Sequence, residues 1–489
     1  LLSFSTSLYY YNLPYIKKDN NICIYKPLLP PPAELGAIRM LQQQLLTEGK
    51  AFSTLLRFSL PFLLSNILQA CYGASDLFMV GRFADSISVS AVATGGQIMQ
   101  TITGLAIGLA TGGTVLIGQY FGARKIAEVS NIVKTIIVVF SVLSLVMTAL
   151  TILFLEPLIT LMQVPLAAVS TTRQYLLICS CGIIFIVGYN AISGILRGLG
   201  DSRTPLLLIT IACLINISTD LLFVGLFRMG AVGAALSTVL AQAISLLLAA
   251  LYLSAKGFWY KYNNYTPHFS LSAARQVLMT GLPIVLQEGL VNISFLIITA
   301  IVNSLGLIAS AAVGVVEKLI VFSMLPTTAF AAALSAITAQ HHGADMMTRA
   351  RQCLHISIGL SLVFGIIFFL AAQNDAAFLV SIFTKDAPVI AAGAEYLRSY
   401  SLDSIIVCFV FCMNGFLNGG GYPLFTLIHS LLTTIAVRIP LSYLLSQAAN
   451  ASMFQIGLAA PTASLLSLAI CEWFIIRKFG PFSNQKNNF

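Results

Sequence analysis

Five carboxylates, Asp76, Asp220, Glu288, Glu317 and Asp403, fall inside long apolar stretches of this sequence rather than at their polar ends. A charge in hydrocarbon costs about 2.5 kcal/mol or more, so an ionisable side chain there is a candidate for handling an ion or a substrate. Asp76 follows Pro61 by about four helical turns in one apolar run, and Tyr72 lies one turn before it on the same face. Proline removes a backbone hydrogen bond and lets a helix bend at low cost. Pro61 is therefore the hinge candidate, with Gln69 and Tyr72 as cavity residues of the same helix. Asn216 and Asp220, spaced i and i+4, present an amide and a carboxylate on one face, and Thr238 in the next run adds a hydroxyl. Such oxygens are hard ligands that suit sodium, and two adjacent carboxylates can share a proton, so one set could serve either ion. Two plainer readings stand beside this one. Asp76 could sit at the outer interface near Gly81 and Arg82, and Asn216, Asp220 and Thr238 could form a structural polar network.

The elements that must position these residues follow from composition. Of 489 residues, 58% are hydrophobic and only 9% charged, against about a quarter charged in soluble domains, and the mean hydropathy is +0.90. A spanning helix needs roughly 20 apolar residues. Runs bounded by Gly, Pro and charge predict an all-α polytopic membrane protein with helices near 54–80, 88–116, 130–155, 172–195, 205–227, 231–254, 278–303, 309–338, 352–372, 393–416, 424–446 and 456–476.

The second half repeats the first at an offset of about 221 residues. Leu60-Pro61 answers to Leu282-Pro283, Gly118-Gln119 through Gly122-Ala123 to Ala339-Gln340 through Gly343-Ala344, and Gly194 through Gly200 to Gly415 through Gly421. Six spans per repeat give both halves the same orientation, which implies two six-helix lobes about a pseudo-twofold axis along the membrane normal, with the substrate path between them. The expected organisation is an N-terminal tail at 1–51, an N-lobe at 52–255, a linker at 256–276, a C-lobe at 277–478 and a tail at 479–489. Because the first methionine is Met40, residues 1–39 are read as upstream of the natural start, with a native tail as the alternative.

The formal charge of +9 is not gathered into a nucleic-acid-binding stripe; basic residues recur in the breaks between apolar runs. Arg124, Lys125, Arg197, Arg203, Lys256, Lys261, Arg275, Arg349, Arg351, Arg477, Lys478 and Lys486 fall on one side, and only Arg82, Arg173, Arg228, Lys385 and Arg398 on the other. The excess marks the cytoplasmic side and predicts both termini there. Nine cysteines form no paired CxxC motifs and read as small packing residues. The Gly194–Gly200 run lacks a Walker Lys-Ser/Thr ending, so nucleotide binding is not expected, nor any cofactor beyond a coupling ion. No HExxH or partnered serine motif is present; His341 and His342 are placed in a loop, and His355 and His429 stand alone, so no enzyme activity is expected.

The stretch from Leu60-Pro61 to Ser75-Asp76-Leu77-Phe78-Met79-Val80-Gly81, taken with Asn216, Asp220 and Thr238, resembles the multidrug and toxic compound extrusion (MATE) family, in particular its bacterial DinF-like branch. The resemblance covers residues 52 to 478. It implies a V-shaped central cavity and export of amphipathic, cationic organic compounds across the bacterial inner membrane in exchange for protons or sodium at Asp76, Asn216, Asp220 and Thr238. A monomer is expected. The helix-7 and helix-10 acids depart from the spacing of the lobe-two ion site found in some relatives, so Glu288 and Asp403, with Gln287, are candidate substrate-cavity residues, with local structural roles for the two acids as the alternative. Glu317 and Lys318 are read as neutralising one another or snorkelling apart, and Arg438 as neutralising an unnamed acid or helix end. A lipid-linked oligosaccharide flippase of the same superfamily is the alternative, disfavoured because the buried ionisable groups are mainly acids.

Overall fold

The computed structural model describes residues 45–255, 269–448 and 452–480. The expected N-terminal tail up to residue 44, most of the linker with Lys256 and Lys261, and the tail with Lys486 lie outside the described residues. Hydrocarbon offers backbone groups no partner, so the chain spans it as helices. Lobe one comprises α1 (Ala51–Phe83), α2 (Ser86–Gly122), α3 (Ile126–Leu153), α4 (Leu166–Gly198), α5 (Arg203–Leu226) and α6 (Gly230–Ala255). Lobe two comprises α7 (Leu271–Asn303), α8 (Leu307–Gly343), α9 (Met347–Ser381), α10 (Ala387–Tyr400 and Asp403–Gly419, bent by 46°), α11 (Pro423–Ser446) and α12 (Met453–Phe479). Counting the bent pair as one span gives twelve.

Local sequence explains several boundaries. Asp85 caps α2 by accepting the Ser88 amide at 2.9 Å, and Ser452 with Gln455 forms a capping box at the start of α12. Ser270 accepts the Ala273 amide at 3.2 Å and starts α7 there, so the helix extends back into the expected linker and takes in Arg275. His341 and His342 belong to the last turn of α8 rather than to a loop, and His341 is fully buried. α1 runs unbroken through Pro61. α5 and α11 each widen into a π-type turn, over Leu221–Leu226 and Thr434–Arg438.

The repeat is visible in atomic contacts. A Cβ added to Gly194 or Gly198 of α4 would lie 2.8 Å from the Ala110 or Thr114 carbonyl oxygen of α2, and in lobe two Gly415 and Gly419 of α10 meet the Ala331 and Ser335 carbonyls of α8, one repeat further on. Small residues let helices approach to backbone contact where lipid provides no hydrophobic drive. Between the lobes, α2 crosses α7 at Gly112 and Gly281, and the ends of α2 and α8 cross at Gly122 and Gly343, each glycine facing backbone atoms of the other helix. Further from this end, Gly73 of α1, Gly104 of α2, Gly289 of α7 and Gly314 of α8 have no atom within 4 Å of where a Cβ would stand. The lobes therefore touch at the face where the chain enters and part toward the opposite face.

Replacing Gly415 by Val should cost roughly 1–3 kcal/mol of stability through overpacking against α8, seen as a lower melting temperature of the detergent-solubilised protein. Gly359→Ala, which points into open space, should leave that temperature unchanged.

Candidate ion-coupling site

Three helices of lobe one bring the predicted residues together. Asp76 near the C-terminal end of α1 is 5% exposed, and Asn216 and Asp220 of α5 are fully buried. Asn216 Nδ2 donates to Asp76 Oδ1 at 3.0 Å and Thr238 Oγ1 donates to Asp76 Oδ2 at 2.7 Å. Tyr72 Oη, one turn before, donates to the Thr238 carbonyl at 3.2 Å and joins α1 to α6. Asp76 thus has a donor on each oxygen.

Asp220 has none. Both of its carboxylate oxygens are buried without a donor, as are Asn216 Oδ1, the Ser237 hydroxyl and Gln242 Oε1. The Asp220 carboxyl adjoins that of Asp76 and the Ser237 hydroxyl, and Gln242 adjoins Tyr72, so these unmet oxygens belong to the same locale. Two bare carboxylates side by side in a low dielectric repel by several kcal/mol at least. A proton shared by the pair, or a small hard cation among these oxygens, removes that repulsion and satisfies the unmet acceptors. The carboxylate, amide and hydroxyl set fits sodium chemically. Among the described residues no three His, Cys, Asp or Glu side chains converge as a metal-ligand set.

Sequence reasoning missed Ser237 and Gln242. Gln242 stands one turn beyond Thr238 on the same face of α6, a spacing that could have drawn it in, whereas Ser237 points to another face and only packing places it beside Asp220.

The candidate cavity residues separate. Glu288 on α7 is exposed, next to the open position at Gly289, and Gln287 Nε2 donates across to Ser430 Oγ of α11 at 3.1 Å. Asp403 does not face the cavity: at 2% exposure it is sealed within lobe two at the bend of α10. Its neighbour is Arg438, whose Nη2 donates to Tyr400 Oη at 3.0 Å and Nη1 to Ser294 Oγ at 3.3 Å, with the guanidinium 4.6 Å over the Phe295 ring. Glu317 accepts from Thr299 at 2.9 Å rather than pairing with Lys318, since adjacent residues on a helix diverge. His429 is not isolated: its ring nitrogens meet Asn414 Oδ1 at 2.8 Å and Ser467 Oγ at 3.1 Å, a satisfied core network. Between α1 and α8 lies an apolar cavity of about 370 Å³ walled by Leu63, Ile67, Cys71, Phe322, Leu325 and Pro326.

A twelve-span bundle whose two lobes part around a cleft, with a buried cluster of polar oxygens in one of them, is the frame of a polytopic membrane transporter. The MatE family model matches residues 61–222 and 283–444, one match in each lobe, and the chain belongs to that family. It is 27% identical over 440 residues to the probable multidrug resistance protein YpnP of Bacillus subtilis, covering 90% of this chain and 98% of that one. It is 23% identical to the FAD transporter of Shewanella oneidensis over 86% and 94% of the two chains. In fold it is similar to a MOP superfamily transporter from Pyrococcus furiosus, with a TM-score of 0.80 at 20% identity over 89% and 97% of the chains. It is equally similar to the Vibrio cholerae MATE transporter VcmN in its bent form, with a TM-score of 0.80 at 19% identity over 88% and 96%.

Thr238→Val removes a hydroxyl that donates to a buried carboxylate, a bond worth about 1.5–3 kcal/mol. The variant should melt at a lower temperature than the wild-type protein, and Thr238→Ser, which keeps the donor, should restore most of the loss.

Proposed function

We infer that this chain exports amphipathic, cationic organic compounds in exchange for protons or sodium, by alternating access of the cavity between its lobes. The observation that carries the reading is the buried pair of Asp76 and Asp220, of which only the first has donors. An ion bound there lowers the electrostatic cost of closing the surrounding helices, and reciprocity then requires that ion and substrate disfavour one another. Glu288 contributes negative charge at the open face, and the cavity between α1 and α8 contributes apolar walls, a combination suited to a cation with a hydrophobic body. Multidrug resistance in the name of the Bacillus relative supports the substrate class. A pyrophosphate-bearing substrate, whether a flavin dinucleotide as in the name of the Shewanella relative or a lipid-linked sugar, would call for cations where this chain exposes Glu288.

The excess of Arg and Lys at the face where the lobes touch supports placing that face, and with it both termini, in the cytoplasm of a bacterium, with the bundle in the inner membrane. Both halves of the cavity come from one chain, which supports a monomer as the working unit.

In cells lacking other pumps, a fluorescent cationic dye should be extruded under an imposed sodium or proton gradient, and Asp76→Asn or Asp220→Asn should slow that extrusion about tenfold or more. Undiminished gradient-driven efflux in both variants would sink the coupling assignment. Glu288→Gln should weaken efflux of the cationic dye about fivefold and spare a neutral one, as expected for one lost partly solvated charge pair.

A further inference from the structure

Two glutamines one repeat apart join the lobes at the closed face. Gln119, in the last turns of α2, donates from Nε2 to the carbonyl oxygen of Gly419 at the end of α10, 3.0 Å away. Gln340, in the last turns of α8, donates from Nε2 to the carbonyl oxygen of Gly198 at the end of α4, 2.9 Å away. The donors differ by 340 − 119 = 221 and the acceptors by 419 − 198 = 221, so this is one interaction made twice, each arm reaching from one lobe into the other. Carbonyls at a helix C-terminus lack intrahelical partners, and the side-chain amides satisfy them where the helix ends meet. The glycines make the reach short: Gly122 faces the Gln340 carbonyl and Gly343 faces the Gln119 carbonyl, so the two backbones touch beside the amides.

The repeat breaks at one atom. Gln340 is fully buried, and its Oε1 accepts the backbone N–H of Leu46 at 2.9 Å. The Leu46 side chain packs into the lobe-two core among residues that include Ala333, Leu354 and Phe416, and Arg349 donates to the Gly49 carbonyl. The segment leading into α1 is therefore strapped to lobe two, and one amide holds both that strap and lobe one. Gln340 carries two of the three bonds.

We propose that Gln119 and Gln340 form a two-point latch that sets the balance between the two states of the transporter, with Gln340 also fastening the segment before α1 to the closed state. The proposal rests on the alternating-access reading, because a latch acts only if this face opens. Separating the lobes here breaks both cross-lobe amide bonds at once and frees two helix-end carbonyls that only water can then meet.

Pulsed electron paramagnetic resonance in lipid nanodiscs tests it on the full chain, with spin labels at K125C and M346C, which stand just beyond α2 and α8, and with Cys23 and the exposed Cys71 and Cys181 replaced by Ser. The wild-type distribution should be dominated by a short distance. Gln119→Met, which keeps the length but not the donor, should raise the ratio of separated to closed lobes about threefold to tenfold, and Gln340→Met should raise it more. Should the Met variants fail to insert, Gln119→Asn and Gln340→Asn, one methylene too short to reach, carry the same expectation. Asp220→Asn tells the two readings apart. If it shifts the distribution and the Gln variants do not, the lobes move but the latch is overturned. If no variant shows a separated population, alternating access itself falls and the latch with it.

Discussion

The structure depends on close backbone contact between helices in a medium that does not press them together. Lipid tails are as apolar as the leucines facing them, so association rests on packing and on bonds between helices. In this chain the contacts concentrate on glycines of α2 and α8 and of their partners α4 and α10, where side-chain-free Cα atoms lie against carbonyl oxygens. α2 and α8 serve as the spine of their own lobes and, through Gly122 and Gly343, as the join between lobes. One sequence device, glycine at one-turn spacing, thus builds each lobe and makes the seam between them.

On this symmetric frame the polar chemistry is asymmetric. Asn216 and Asp220 of α5 have no acidic counterpart on α11; within a turn of the equivalent place stands Arg438, held by Tyr400, Ser294 and the face of Phe295. Lobe two carries its own cation, tethered to the chain, beside the sealed Asp403. In lobe one Asp76 and Asp220 adjoin, and among the described residues no Arg or Lys acts on either. A proton or cation from outside the chain would relieve the repulsion of that pair, which is the physical ground for proposing an exchangeable ion there and not in lobe two.

Much of this was legible in the residues alone, for a physical reason. Polar groups in apolar runs are conspicuous, so Asp76, Asn216, Asp220 and Thr238 stood out, and proline and glycine marks at one offset exposed the repeat. Packing direction was not legible. Glu288 and Asp403 look alike in sequence, both acids in apolar runs, yet one is exposed and the other is sealed at the bend of α10. The partners of Arg438 lie on α7 and α10, far away in the chain. The acceptors of Gln119 and Gln340 are backbone carbonyls, which carry no residue identity for a pattern to show.

α1 explains how a site on one side of the molecule bears on the seam. Its first turns belong to lobe two: Leu55, Phe58 and Phe62 are buried in the core built by α8, α9, α10 and α12, and Asn66 Nδ2 lies 3.4 Å from Thr328 Oγ1 of α8. Its last turns belong to lobe one, where Tyr72 and Asp76 are bound to α5 and α6. Pro61 stands within the lobe-two anchorage, between Phe58 and Phe62, and removes one rung of the helical ladder. A helix fastened in both lobes cannot keep both sets of contacts while the lobes rotate apart, so it must bend or release one end. On the proposed alternating-access reading, the missing rung at Pro61 lowers the cost of bending α1.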